Sequence, residues 1–130
     1  MLKDRRIGIC TSFQYGFSRR WSRDEPYNEE KFIEVMNLFK HKVGYMPMFI
    51  AVLSTENEAD ALKHLDLARK LGTKCKLNGV LPIGKSTEFF PRWKLVKVWL
   101  DALDAGYGDA LDYYVPACHG GCGFNTNLLC

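Results

Sequence analysis

The sequence predicts an α/β domain built on a parallel sheet. Three observations carry this. Short apolar runs alternate with amphipathic stretches of helical period, each amphipathic stretch ends on a glycine, and the central run, residues 48–53, is apolar without interruption, as in a strand covered on both faces. Alternation of this kind implies parallel strands joined by helical crossovers, with all three helices on one side and the strand-end loops converging.

The first predicted strand covers 6–11 and is followed by a long polar loop. Asn28 is a good N-cap, with Glu29 and Glu30 placed against the positive end of a helix dipole. Phe32, Val35, Met36, Phe39 and Val43 then recur at helical spacing, and Gly44 ends the helix. After strand 48–53, Thr55 and Glu58 have the spacing of a capping box. Ala61, Leu62, Leu65, Ala68 and Leu71 make the second helix's apolar face, closed by Gly72. A third strand covers 75–80. Pro91 suits the first turn of a third helix, whose face is Leu95, Val96, Trp99, Ala102 and Leu103, ended by Gly106. Residues 111–115 read as a short fourth strand.

At 130 residues and 47% hydrophobic content the chain supports one core. The net charge of +3 comes from Lys and Arg interspersed with Asp and Glu, which gives no sign of a nucleic-acid partner. No apolar run reaches the roughly 18 residues that span a bilayer, and no signal peptide opens the chain. The expectation is a soluble, cytoplasmic protein without a membrane partner.

Of five cysteines, Cys10 and Cys75 fall in strand-like runs and read as small buried apolar residues, whereas Cys118, Cys122 and Cys130 cluster among glycines. Without a secretory signal, clustered cysteines favour metal ligation over disulfides or idle thiols. Three thiolates leave an Fe₄S₄ site one ligand short; His119 beside them keeps a zinc site open. His41 and His64, on helices among lysines, read as surface, and Trp93 and Trp99 as core or rim.

Gly79, Gly84, Lys85 and Ser86 match the phosphate-loop pattern G-x-x-x-x-G-K-[ST]. Pro82 lacks the N–H that a phosphate cradle requires, and Pro91 puts the helix start well beyond Lys85. A P-loop nucleotide-binding fragment therefore stands as an alternative, as does a non-enzymatic zinc-binding α/β module.

The order of three strand ends carries a resemblance. Thr11, Ser12, Phe13 and Gln14 with Arg19 and Arg20 beyond, then Ser54, Thr55 and Asn57, then Asn78, Pro82 and Gly84, together resemble the second half of a radical S-adenosylmethionine (SAM) barrel. The cysteines after the last helix are similar to the start of a SPASM or twitch extension. The resemblance covers nearly all of the chain: residues 1–115 as half of a TIM-like, partial β/α barrel, and 116–130 as the start of the cysteine-rich extension. It implies SAM contacts by Ser12, Gln14, Arg19 and Arg20 (ribose and carboxylate), by Ser54, Thr55 or Asn57, and by the loop containing Asn78, Pro82 and Gly84 around the adenine. It implies a [4Fe-4S] auxiliary cluster on Cys118, Cys122 and Cys130, and a peptide or small-molecule substrate. The family's C-x-x-x-C-x-x-C triad, which holds the SAM-cleaving cluster, does not occur, so the chain is expected to be a fragment, inactive alone, lacking the N-terminal barrel half.

Overall fold

The computed structural model describes residues 8–16, 20–22, 25–26, 28–82 and 88–112. In chain order the elements are β1 (Cys10–Ser12), β2 (Arg20–Ser22), β3 (Glu25–Pro26), α1 (Glu29–Val43), β4 (Met48–Leu53), a 3₁₀ turn (Glu58–Asp60), α2 (Ala61–Leu71), β5 (Cys75–Gly79) and α3 (Arg92–Asp104). β1, β4 and β5 form a parallel sheet in that order, with Ser12 opposite Ile50 and Leu53 opposite Gly79. A parallel bridge from Cys75 to Leu111 adds the beginning of the expected fourth strand; 113–115 lie outside the described residues. Within the predicted polar loop, β2 and β3 form a short antiparallel pair of irregular register.

Local chemistry sets the helix limits. The Asn28 side chain accepts from the Lys31 N–H at 3.0 Å, starting α1 as its sequence predicts. Gly44 and Gly72 close α1 and α2 at φ of 98° and 74°, a left-handed conformation that only glycine adopts without strain. The expected capping box does not form. Asn57, not Thr55, organises this junction, its Oδ1 accepting from the Ser54 N–H at 2.8 Å while the Ser54 Oγ accepts from the Glu56 N–H. This tight turn leads into the 3₁₀ segment, so α2 begins only at Ala61.

Burial is one-sided. In β4, Phe49, Ala51 and Leu53 are buried while Met48, Ile50 and Val52 are half-buried; in β5, Cys75, Leu77 and Gly79 are buried while Lys76 and Asn78 are half-buried. The helices explain it. α2 packs on β4 and β5, α3 packs on β5, and Phe32 of α1 meets Phe49 edge-on with ring centres 5.2 Å apart. Phe32 in turn stacks on Phe13 at 4.6 Å, so one aromatic column joins α1, β4 and the segment after β1. The uninterrupted apolar run thus does not mean two equally covered faces among the described residues.

Several side chains depart from the sequence expectations for the same geometric reason. Cys10 is exposed, because it starts an edge strand on the side away from the helices, whereas Cys75 is buried as expected. Val35, Leu62, Val96 and Leu103 are exposed, their helix faces having turned past the sheet, and Trp93 is 66% exposed, neither core nor rim. Trp99 is half-buried and donates its indole N–H to the Leu77 carbonyl at 3.0 Å.

Gly79 is a packing glycine: a Cβ there would stand 2.9 Å from the Phe90 Cβ. Gly79→Ala is therefore expected to force β5 and Phe90 apart and to cost about 1–3 kcal/mol, measured as a lowered urea midpoint with unchanged m-value.

Candidate functional site

The carboxyl ends of parallel strands share one edge of a sheet, and ligands of α/β proteins gather there. Here the register places the ends of β1, β4 and β5 together, and their loops are stitched to one another. The Phe13 N–H donates to the Ile50 carbonyl at 3.1 Å, continuing the ladder past Ser12. The Gln14 Oε1 then accepts from the Val52 N–H at 3.4 Å, a side chain taking the place of backbone at the end of β1. On the far side the Val80 N–H donates to the Leu53 carbonyl, the Phe90 N–H donates to the Val80 carbonyl, and the Thr55 N–H donates to the Glu88 carboxylate at 2.6 Å.

Asn57 is the knot. Fully buried, it accepts from the Ser54 N–H and donates its amide to the carbonyls of Tyr15, at 2.8 Å, and Val52, at 3.1 Å. The Tyr15 N–H is held as well, by the Nε2 of buried His64 at 3.1 Å, while the His64 Nδ1 faces the Asp60 carbonyl at 2.8 Å. These partners fix the neutral tautomer with the proton on Nδ1. Burial pulls the His64 pKa down to about 4, against the opposing pull of the Asp60 carbonyl. The Tyr15 hydroxyl donates to Glu29 at 3.0 Å, and the Lys63 ammonium sits 4.2 Å from its ring centre. Burial first, then the Glu29 carboxylate, pushes the Tyr15 phenol well above its ordinary range.

The site residues expected from sequence divide accordingly. Ser12, Gln14, Ser54, Thr55, Asn57 and Asn78 come to the same end of the sheet. Gln14 and Asn57 commit their side chains to backbone groups, and Ser54 is buried. Ser12 and Thr55 are exposed there, Asn78 is half-buried, and Pro82 is exposed. Arg20 opens β2; Arg19, Gly84, Lys85, Ser86, His119 and the cysteines Cys118, Cys122 and Cys130 lie outside the described residues. Among the described residues no three His, Cys, Asp or Glu side chains gather around a point a metal ion would take. No described helix is long and apolar enough to cross a membrane.

The phosphate-loop pattern loses its structural context. Its first glycine belongs to β5 and packs on Phe90, residues 88–91 are not helical, and α3 starts at Arg92 rather than at the Lys-Ser pair. A groove of about 520 Å³ lies at the opposite end of the sheet, lined by Gly8, Cys10, Tyr45, Met46, Met48 and Lys74. It is mostly apolar and shares no residue with the strand-end site.

No family model matches the chain, and no curated protein or solved structure matches it. The function must therefore be argued from the site.

Sequence reasoning missed Tyr15, His64 and Glu88. For His64 a signal existed: it lies three residues after Ala61 and four before Ala68, on the buried face of α2. The neighbouring lysines obscured it. Tyr15 and Glu88 carry no local signature, since their partners are distant in sequence.

Two outcomes are expected of the knot. Asn57→Ala leaves the Ser54 N–H and two carbonyls without this partner, and should cost at least about 3 kcal/mol in urea unfolding. The second concerns acid. Histidine in the unfolded chain takes up a proton near 6.5, whereas folded His64 resists until about 4, so the unfolded state binds more protons between these values. Stability from this group is full above about 6.5 and falls as pH drops towards 4, by up to ~3 kcal/mol. His64→Gln should remove that part of the acid slope, seen as a smaller change in unfolding free energy between pH 7 and pH 4.5 than in the wild type.

Proposed function

We propose that this chain is the second half of a radical SAM-type β/α barrel, contributing SAM- and substrate-binding surface, with the start of a cluster-bearing extension at its C-terminus. One observation carries the reading: three parallel strands run in chain order, with the helices packed on one face, and bring Ser12, Thr55 and Asn78 to a single open end. That is the arrangement a half-barrel needs, and the sequence motifs of the resemblance fall on it in the same order.

The residues suit the ligand. Hydroxyls and a carboxamide at a strand-end edge can hydrogen-bond ribose and amino-acid groups, and the β5–α3 loop begins at the same edge for contact with a planar base. In this reading Gln14 and Asn57 do not touch the ligand; they hold the strand ends in register. Ser12, Thr55 and Asn78 orient it, with Arg19 or Arg20 pairing its carboxylate. SAM, when bound beside a cluster of the C-x-x-x-C-x-x-C kind, would supply the radical initiator. Cys118, Cys122 and Cys130 would hold the auxiliary [4Fe-4S] cluster, a reading that rests on their sequence alone. The substrate class remains a peptide or small molecule.

The test uses the chain itself. Anaerobic reconstitution with iron and sulfide should give the visible absorbance of an iron–sulfur cluster, and the Cys118→Ser/Cys122→Ser/Cys130→Ser variant should lose it. Equilibrium dialysis should show SAM retained, and Thr55→Val should weaken retention about tenfold, or ~1.4 kcal/mol. Zinc in the purified protein, with no iron taken up and no SAM held, would replace this reading by the zinc module.

A further inference from the structure

The groove at the amino end of the sheet gathers sulfur. Cys10, Met46 and Met48 all line it. Cys10 is the one exposed thiol among the described residues, and Met46 and Met48 are two of the chain's four methionines. The backbone explains their placement. The parallel register sets Cys10 beside Met48, so the two side chains leave the same face of neighbouring strands, which lie about 4.8 Å apart. Met46 precedes Met48 by two residues, and the residue before a proline is held extended, so Pro47 turns both side chains to one side. The segment is anchored from β5: the Thr73 hydroxyl donates to the Pro47 carbonyl at 3.0 Å, and the Phe49 N–H donates to the Lys74 carbonyl at 3.2 Å.

The donor set selects the ligand. Among the described residues that line the groove there is no imidazole or carboxylate, the Thr73 hydroxyl is committed to Pro47, and the Lys74 ammonium repels cations. That offers little to zinc, calcium or magnesium, which take imidazole or several oxygens. One thiolate and two thioethers are the soft donors that select copper(I) and its relatives. Charge agrees. A monovalent ion on one thiolate makes a neutral site, which a mostly apolar groove accommodates, whereas a divalent ion leaves a net positive charge beside Lys74. Burial pushes the Cys10 thiol above its ordinary range, while nearby Lys76 and Asp112 act on it in opposite directions. The thiol is therefore protonated until the ion arrives, and forming the metal–sulfur bond releases its proton to solvent. The rotatable bonds of methionine let both thioethers close on the same ion.

We propose that Cys10, Met46 and Met48 form an all-sulfur site for a soft monovalent cation of the copper(I) or silver(I) class. A methionine in a groove needs no metal to explain it. Two methionines turned towards the exposed thiol, one of them set against it by the strand register, make a donor set that leucines in the same places would not. This inference does not depend on the SAM reading, since the groove shares no residue with the strand-end site.

Silver(I), which is redox-inert, is the probe, added in chloride-free buffer and followed by NMR of isotope-labelled methionine methyl groups. The full-length chain carries Cys118→Ser/Cys122→Ser/Cys130→Ser, so that the terminal thiols do not compete. A single ion should bind, shift the Met46 and Met48 methyl signals, leave the signal of buried Met36 in place and release a single proton. In this background Cys10→Ser should weaken binding at least about a hundredfold, and Met46→Leu and Met48→Leu, which conserve volume, about tenfold each. Far-UV circular dichroism and the urea midpoint show whether each variant keeps its fold. In the chain with all its cysteines the same two signals should move once the terminal thiols are saturated, which makes the result independent of the triple substitution. Silver that binds without moving either methionine signal would overturn the proposal, as would leucine variants that bind it as tightly as their parent. So would zinc(II) held as tightly as silver, or no binding at all.

Discussion

The fold turns on how Tyr15 is held. It follows the three-residue strand β1, which has too few ladder hydrogen bonds to fix its own exit. The chain is instead caught from both sides: His64 takes the Tyr15 N–H and Asn57 gives to the Tyr15 carbonyl. Both partners come from the β4–α2 region, dozens of residues away, and both are buried, where a hydrogen bond is worth more and an unmade one costs more. Asn57 also binds the Val52 carbonyl and the Ser54 N–H, so one carboxamide joins the exit of β1, the end of β4 and the turn into α2. The adjacent aromatic column of Phe13, Phe32 and Phe49 supplies the apolar half of the same junction.

What was legible in the sequence follows from range. The Asn28 cap, the two left-handed glycines and strand β4 depend on neighbours within a few positions, and each stands where the pattern puts it. The capping box at Thr55 was local too, but it lost to a competitor: Asn57 satisfies the Ser54 N–H and reaches two further carbonyls, and a threonine hydroxyl offers no such triple function. His64 was misread although its spacing from Ala61 and Ala68 puts it on the buried face of α2, because the lysines beside it suggest a solvated face; its bond to the Tyr15 N–H, forty-nine positions away, has no local trace at all. Of the candidate site, the common edge of Ser12, Ser54, Thr55 and Asn78 was legible from the β-α alternation. The division between residues that hold the edge and residues that face outward was not, because residue type alone does not distinguish a carboxamide that binds backbone from one that binds ligand.

The two ends of the sheet differ in kind. At the carboxyl end the polar groups are tied across strands, and even the Glu88 carboxylate is spent on the Thr55 N–H, drawing the far side of the β5–α3 loop over the end of β4. Lys94 of α3 adds an ion pair to Glu58 at 3.2 Å beside the same junction. The opposite end carries the apolar groove, and there the entries of β4 and β5 are joined by the Thr73 hydroxyl donating to the Pro47 carbonyl at 3.0 Å and the Phe49 N–H donating to the Lys74 carbonyl at 3.2 Å. A site that binds a polar ligand needs donors and acceptors fixed in direction, and the carboxyl end has Gln14, Asn57 and Glu88 holding its strand ends in place.

The side of the sheet away from the helices bears on the functional reading through its composition. Parallel sheets ordinarily have both faces covered, and a second helical layer would call for a continuous apolar surface. The register instead sets Ser12 beside Ile50 and Lys76, and Val52 beside Asn78, with Cys10 opposite Met48. Three of these seven positions, Ser12, Lys76 and Asn78, are polar or charged. A face made of Ile50 and Val52 interleaved with Ser12, Lys76 and Asn78 is poorly suited to pack against helices, and well suited to line an interior that must accept a polar ligand while still burying aliphatic groups. Ser12 ends β1 and Asn78 is the last residue but one of β5, so two of the three polar members lie towards the carboxyl edge. The composition of that face accords with the half-barrel proposed above better than with a second helical layer, and it does so independently of the motifs on the loops.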